Sequence, residues 1–149
     1  MPKWAWPVAV LLGLALISCH VESARAGTPE FELDQPFQVS GGQEAHNSAE
    51  QLHLTFTDVL EDSRCPTQVE CFWTGQARIA ISVQPEGSDA TRVEFNTNPA
   101  PGQTVKEATV GRHRIELVAL DPYPQTPDDP IEFDDYQATL VVRTRQPSI

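Results

Sequence analysis

Three cysteines, four histidines and a late run of carboxylates are the residues of this 149-residue chain that could do chemistry. The carboxylates are Asp121, Asp128, Asp129, Glu132, Asp134 and Asp135. Oxygen donors at this density suit calcium, which takes about six to eight of them. Their spacing departs from the D-x-D-x-D-G order of an EF-hand loop, and Pro122, Pro124, Pro127 and Pro130 interrupt the run. The stretch reads as a solvated acidic loop, and no metal is expected there. His20, His46, His53 and His113 form no H-x-x-x-H pair and lie at no metal-binding spacing from a cysteine. A hydrolase would need a nucleophile beside a base, yet there is no G-x-S-x-G, and Ser40 before Gly41-Gly42 is a turn sequence without partners. Paired carboxylates could cleave glycosides, but a domain this small leaves little room for both a core and a deep cleft. No catalytic residue and no cofactor is assigned.

The compartment comes from the N-terminus. Lys3 precedes an apolar run from Trp4 to Ile17, and no charge intervenes before Glu22. The run is shorter than the about 20 residues of a spanning helix, and its flanks are those of a secretory signal. Its end, Leu16-Ile17-Ser18-Cys19, resembles the lipobox of bacterial lipoproteins. That resemblance implies cleavage before Cys19 and a diacylglyceryl thioether on its sulfur. The competing reading is an ordinary signal cut after Ser23-Ala24-Arg25-Ala26. The position of Cys19, where a short apolar run ends behind a small residue, favours the lipoprotein. Residues 1–18 then form the signal peptide, residues 19–30 a lipidated tether without periodicity, and residues 31–149 the folded domain. Removing the signal takes away Lys3 and no acid, so the net charge of −11 becomes −12. So acidic a chain repels phosphate backbones, which argues against nucleic acid as a partner. Membrane contact would run through the lipid, at the cell envelope. His20 rather than Asp after the cysteine resembles the outer-membrane class in a cell with two membranes. With Cys19 acylated, Cys65 and Cys71 remain as an exported pair and read as a disulfide.

Period-2 patterns fill the rest. Phe37 and Val39 mark a short strand closed by Gly41-Gly42. Leu52, Leu54 and Phe56 alternate with His53, Thr55 and Thr57. Ala77, Ile79, Ile81 and Val83 alternate with Arg78, Ala80, Ser82 and Gln84 until Pro85-Glu86-Gly87-Ser88 breaks the run. Val93 and Phe95, the stretch from His113 to Leu120, and Tyr136, Ala138, Leu140 and Val142 complete the series. Each is the pattern of a strand with one buried face. The expectation is an all-β fold: an antiparallel β-sandwich or small barrel of about six or seven strands, with one small disulfide loop.

One segment stands apart. Asp62, Ser63, Arg64, Cys65, Pro66, Cys71, Trp73, Gly75 and Ala77 fit the pattern D-S-R-C-P-x4-C-x-W-x-G-x-A. It resembles a motif in a group of uncharacterised bacterial secreted proteins and lipoproteins. A weaker likeness runs through Leu117 to Pro124 and the strand after Asp135. The resemblance implies an exported domain with a small disulfide loop, and no reaction. A Cys65–Cys71 bond would stabilise by on the order of 2–3 kcal/mol and set the shape of the turn. Trp73 is expected to cap the sandwich core beside it, Gly75 to form a bulge or tight bend, and Arg64 to fork onto Asp62 or onto carbonyls across the loop. The alternative is a recognition loop, with Arg64, Pro66, Thr67, Gln68, Val69, Glu70 and Trp73 presented to a partner. The structural reading is preferred, since a corner needs only packing.

These features point to a lipid-anchored envelope domain of binding or structural type, not an enzyme, with an unknown protein or small ligand as partner. A secreted inhibitor-like or ligand-recognition module using the Cys65–Cys71 loop is the runner-up, and a small hydrolase the third reading. Intact mass spectrometry of the membrane-extracted protein is expected to show a chain beginning at an acylated Cys19. An unmodified chain beginning after Ala26 would overturn the anchor.

Overall fold

The computed structural model describes residue 1, residues 27–98 and residues 106–145. The expected signal peptide after Met1, with Cys19, His20 and most of the tether, lies outside these residues. The alternating segments are strands, in the order β1 (Pro36–Ser40), β2 (Glu44–Asn47), β3 (Leu52–Asp62), β4 (Ala77–Pro85), β5 (Thr91–Asn96), β6 (Glu107–Val110), β7 (His113–Asp121) and β8 (Gln137–Thr144). One short 3-10 turn, Phe133–Asp135, precedes β8. The strands form two four-stranded antiparallel sheets, β1-β8-β7-β6 and β2-β3-β4-β5. The fold is therefore sandwich-like.

The core is the set of inward positions. Leu52, Leu54 and Phe56 of β3 and Ile79, Ile81 and Val83 of β4 meet Ile115 and Leu117 of β7 and Ala138, Leu140 and Val142 of β8. Burying each such side chain stabilises by about 1.5–3 kcal/mol, which is what binds the two sheets together. Register shifts in β3 after Phe56 and in β7 between Leu117 and Ala119 reset the alternation. The second explains the unbroken apolar run at residues 117–120: Leu117 and Leu120 both face inward, and Val118 is exposed.

β2 and β6 escape a pattern reading. Each has only four residues, and Ala45 is the only apolar residue of β2. Both lie at sheet edges. An edge strand takes its conformation from the neighbour it pairs with, not from a strong pattern of its own. β3 also runs five residues past Thr57, paired to β4 as far as Asp62–Ala77. At the N-terminus, pairing starts two residues before Phe31. His46 donates its backbone N–H to the Pro29 carbonyl, and Phe31 donates to His46, each at 2.9 Å. The last residues of the expected tether thus lie along the edge of β2, and Phe31 stacks on Phe37 with ring centroids 4.3 Å apart.

The acidic segment is more than a solvated loop. Ile131 and Phe133 pack against the core, and Phe133 meets Phe56 edge-on at 5.5 Å. A Cβ on Gly41 would lie 1.9 Å from the Phe133 carbonyl oxygen, so the Ser40-Gly41-Gly42 turn is a seat for this loop. That role accounts for the glycine beside Ser40.

Candidate functional site

Arg64 organises one end of the sandwich. Its side chain is 6% exposed and closes as a fork on Asp62: Nε donates to Oδ1 at 2.8 Å and Nη2 to Oδ2 at 2.7 Å. Nη1 also donates to the Leu120 carbonyl at 2.7 Å, and Nη2 to the Pro122 carbonyl at 2.9 Å. The Tyr136 hydroxyl donates to Asp62 Oδ2 at 2.9 Å. The guanidinium lies 4.9 Å from the ring centroid of Tyr123. Asp62 ends β3, Leu120 belongs to β7 and Tyr136 leads into β8, so one cation ties both sheets together. The sequence allowed Arg64 either Asp62 or cross-loop carbonyls; it takes both. Arg64 is therefore not one of the loop's exposed contact residues: it is buried, and four of its five N–H donors are spent on Asp62 and two backbone carbonyls.

The groups around Arg64 are tuned accordingly. Burial works against the Asp62 carboxylate, but hydrogen bonds from Arg64 and Tyr136 and the Arg64 charge outweigh it and hold the carboxyl below its usual range. The Tyr136 phenol is pushed up to about 12, first by burial and then by its hydrogen bond to Asp62 and the charge there.

The disulfide loop is built on this base. Cys65 and Cys71 are bonded, with Cα atoms 6.0 Å apart. Ser63 N–H donates to the Gln76 carbonyl at 2.7 Å and Cys65 N–H to that of Thr74 at 3.0 Å, closing the neck of the loop. Gly75 has a φ of +66°, and a Cβ there would lie 1.7 Å from the Ser63 carbonyl oxygen, so the tight bend requires glycine. Thr67 and Gln68 donate their N–H groups to the carbonyls of Pro124 and Gln125, each at 3.0 Å. The disulfide loop and the acidic loop are thereby one platform.

Trp73 does not cap the core. It is 80% exposed, and its neighbour Phe72 is fully exposed, with the two ring centroids 6.2 Å apart. The reason is the neck: backbone bonds at residues 63–65 and 74–76 fill the end of the sandwich, and Arg64 occupies the place a capping ring would take. Val69 and Tyr123 add partly exposed apolar surface. Thr67, Gln68 and Glu70 are exposed as well, whereas Pro66 is half-buried. Phe72 was not singled out by its spacing; a second large ring directly beside the motif tryptophan was the available signal. A shallow cavity of about 430 Å³ adjoins the platform, lined by Tyr123, Thr74, Asn98, Val118 and Lys106 among others.

The remaining chemical candidates lie elsewhere. His113 is buried in β7, with Nε2 2.9 Å from Glu50 and Nδ1 without a partner among the described residues. His53 pairs with Glu44 at 3.0 Å on the surface. Thr126 donates to Asp129 at 2.7 Å in the acidic loop. Among the described residues, no group of three or more His, Cys, Asp or Glu side chains is placed to hold a metal ion.

Replacing Arg64 by Ala is expected to destabilise the domain by about 3–5 kcal/mol, since it strands a buried carboxylate and two carbonyls. Denaturant midpoints would measure it, and a cost below about 1 kcal/mol would show that the clamp is dispensable. The pH dependence follows from the shifts. Asp62, depressed in the folded state, contributes stability above its unfolded value that is lost as pH falls through the folded one. Tyr136, raised from 10.0 to about 12, contributes stability below 10.0 that is lost as pH rises through about 12. A series of urea melts across pH should show both limbs in the parent protein and a weaker acid limb in Arg64→Ala. Comparison of the chain with protein-family models, curated proteins and solved structures finds no match.

Proposed function

We propose that this domain is a recognition module that presents Phe72 and Trp73, on a rigid disulfide loop, to a partner protein at the cell envelope, where a lipid on Cys19 holds it. The observation that carries the proposal is the exposure of this aromatic pair on an otherwise tightly bonded loop. Leaving two such rings in water forgoes about 1.5–3 kcal/mol apiece that burial would supply. Stability alone gives no reason for the arrangement. Exposed apolar patches on polar surroundings mark interaction sites, and tryptophan is among the residues that dominate binding energy. The loop is also pre-organised. Its neck, its disulfide and its bonds to residues 124 and 125 leave little backbone freedom to lose on binding.

Between the structural and recognition readings of the segment, an exposed Trp73 favours recognition. Val69, Gln68 and Glu70 would contribute at the margin, and Arg64 acts only by holding the platform. The proposal assigns no catalytic residue, metal or cofactor.

The test uses the position of Trp4 and Trp6 before Cys19, which leaves Trp73 as the sole tryptophan of a chain beginning at Cys19. Its emission should be that of water-solvated indole and readily quenched by iodide. Trp73→Ala and Phe72→Ala should each change stability by no more than about 0.5 kcal/mol, as for exposed side chains. A photo-crosslinking amino acid at position 72, in the full chain in its native membrane, should yield a discrete protein adduct. A loss of about 3–5 kcal/mol in Trp73→Ala would instead return the ring to the core.

A further inference from the structure

We infer that the partner of this loop is a basic protein, one that offers an apolar cleft rimmed by lysine and arginine; the inference rests on the recognition reading above. The two segments of the platform are themselves almost entirely of one sign, with Lys106 bordering the adjoining cavity. Residues 61–76 and 121–136 carry nine carboxylates and a single cation, Arg64. That cation is buried and already closed on Asp62 and two carbonyls. Glu70, Asp121, Asp128, Asp129, Glu132 and Asp134 are all exposed, and among the described residues none of them makes an ion pair.

The strands of the two sheets are different, although Glu30, Glu32, Glu86 and Asp89 outside them are also exposed without an ion pair among the described residues. Arg78 pairs with Glu94, Arg92 with Asp58, Arg112 with Glu50, Arg114 with Glu107 and Arg143 with Glu116. Charge is matched over the sheets and left unmatched around the aromatic pair. Like charges held together by the fold repel one another, and a cationic partner relieves that repulsion as it docks. An anionic lipid surface meets the same carboxylates with repulsion, which disfavours insertion of Trp73 into a bilayer as the purpose of the display. The two parts of the surface then have separate work. Rim carboxylates steer the encounter and set its salt dependence, while the buried rings set the lifetime of the complex.

The experiment starts from the protein crosslinked to position 72 in the full chain, with a crosslinker at Thr91 on β5 as control. That captured protein is then purified, and its association with the membrane-extracted full chain is followed at increasing sodium chloride. Capture alone supports nothing. The expected result is an association rate that falls about tenfold or more between low and physiological salt. The combined variant Asp128→Asn, Asp129→Asn and Glu132→Gln should slow association and flatten that dependence, with dissociation nearly unchanged. Trp73→Ala should speed dissociation and leave the salt dependence intact. A protein adduct with salt-independent association would overturn the basic partner while leaving the recognition loop standing. Adducts confined to lipid, or none specific to position 72, would overturn both.

Discussion

A guanidinium closed on a carboxylate on one side and on two backbone carbonyls on the other holds one end of this sandwich together. Arg64 reaches Asp62 at the end of β3 and the carbonyls of Leu120 and Pro122, where β7 ends, and Tyr136 seals the second carboxylate oxygen. Taking such a pair out of water costs several kcal/mol per ion unless every donor and acceptor is met. Here Asp62 and the carbonyls of Leu120 and Pro122 take four of the five guanidinium N–H donors, and the Tyr136 hydroxyl donates to the carboxylate. What it provides is geometry: it sets where β3 stops being sheet and where the loop after β7 begins.

Everything beyond that clamp inherits its position. The neck formed by Ser63, Cys65, Thr74 and Gln76 sits directly above Arg64, and the disulfide closes the loop over the neck. The acidic loop is held from below by Phe133 against Gly41 and Phe56, and from the side by the bonds to Thr67 and Gln68. Two segments far apart in the chain thus make one rigid surface. Rigidity matters for the proposed role, because a partner that meets a preformed surface pays less ordering entropy. The division of labour is also electrostatic: the sheets neutralise their own charges, and the platform does not.

Much of the fold was legible. The inward residues of β3, β4, β7 and β8 stand at alternate positions in strong apolar runs, and a strand with one buried face has no other way to be written. Glycine and proline clusters marked the turns, and two cysteines six positions apart marked the disulfide. β2 and β6 were not legible: β2 has a single apolar residue, and the polar-apolar alternation of β6, Glu107-Ala108-Thr109-Val110, is too short at four residues to stand out from a turn. The short turn around Phe133 was hidden for a related reason: two apolar residues, Ile131 and Phe133, lie among carboxylates that dominate the composition.

The sequence by itself determined the class of fold, the paired cysteines, a bulge or bend at Gly75 and the negative charge of the late loop. Each of these is a local property, readable from residue type and spacing. It could not decide which way Trp73 faces, because an aromatic beside a disulfide serves equally as a core cap or as a contact. That choice depended on which group filled the end of the sandwich, and the group is Arg64, held there by carbonyls up to 58 positions away in the chain. Nor could it show that residues 61–76 and 121–136 share one face. Both are tertiary facts, since they arise from hydrogen bonds between segments whose separation along the chain carries no signal of their contact.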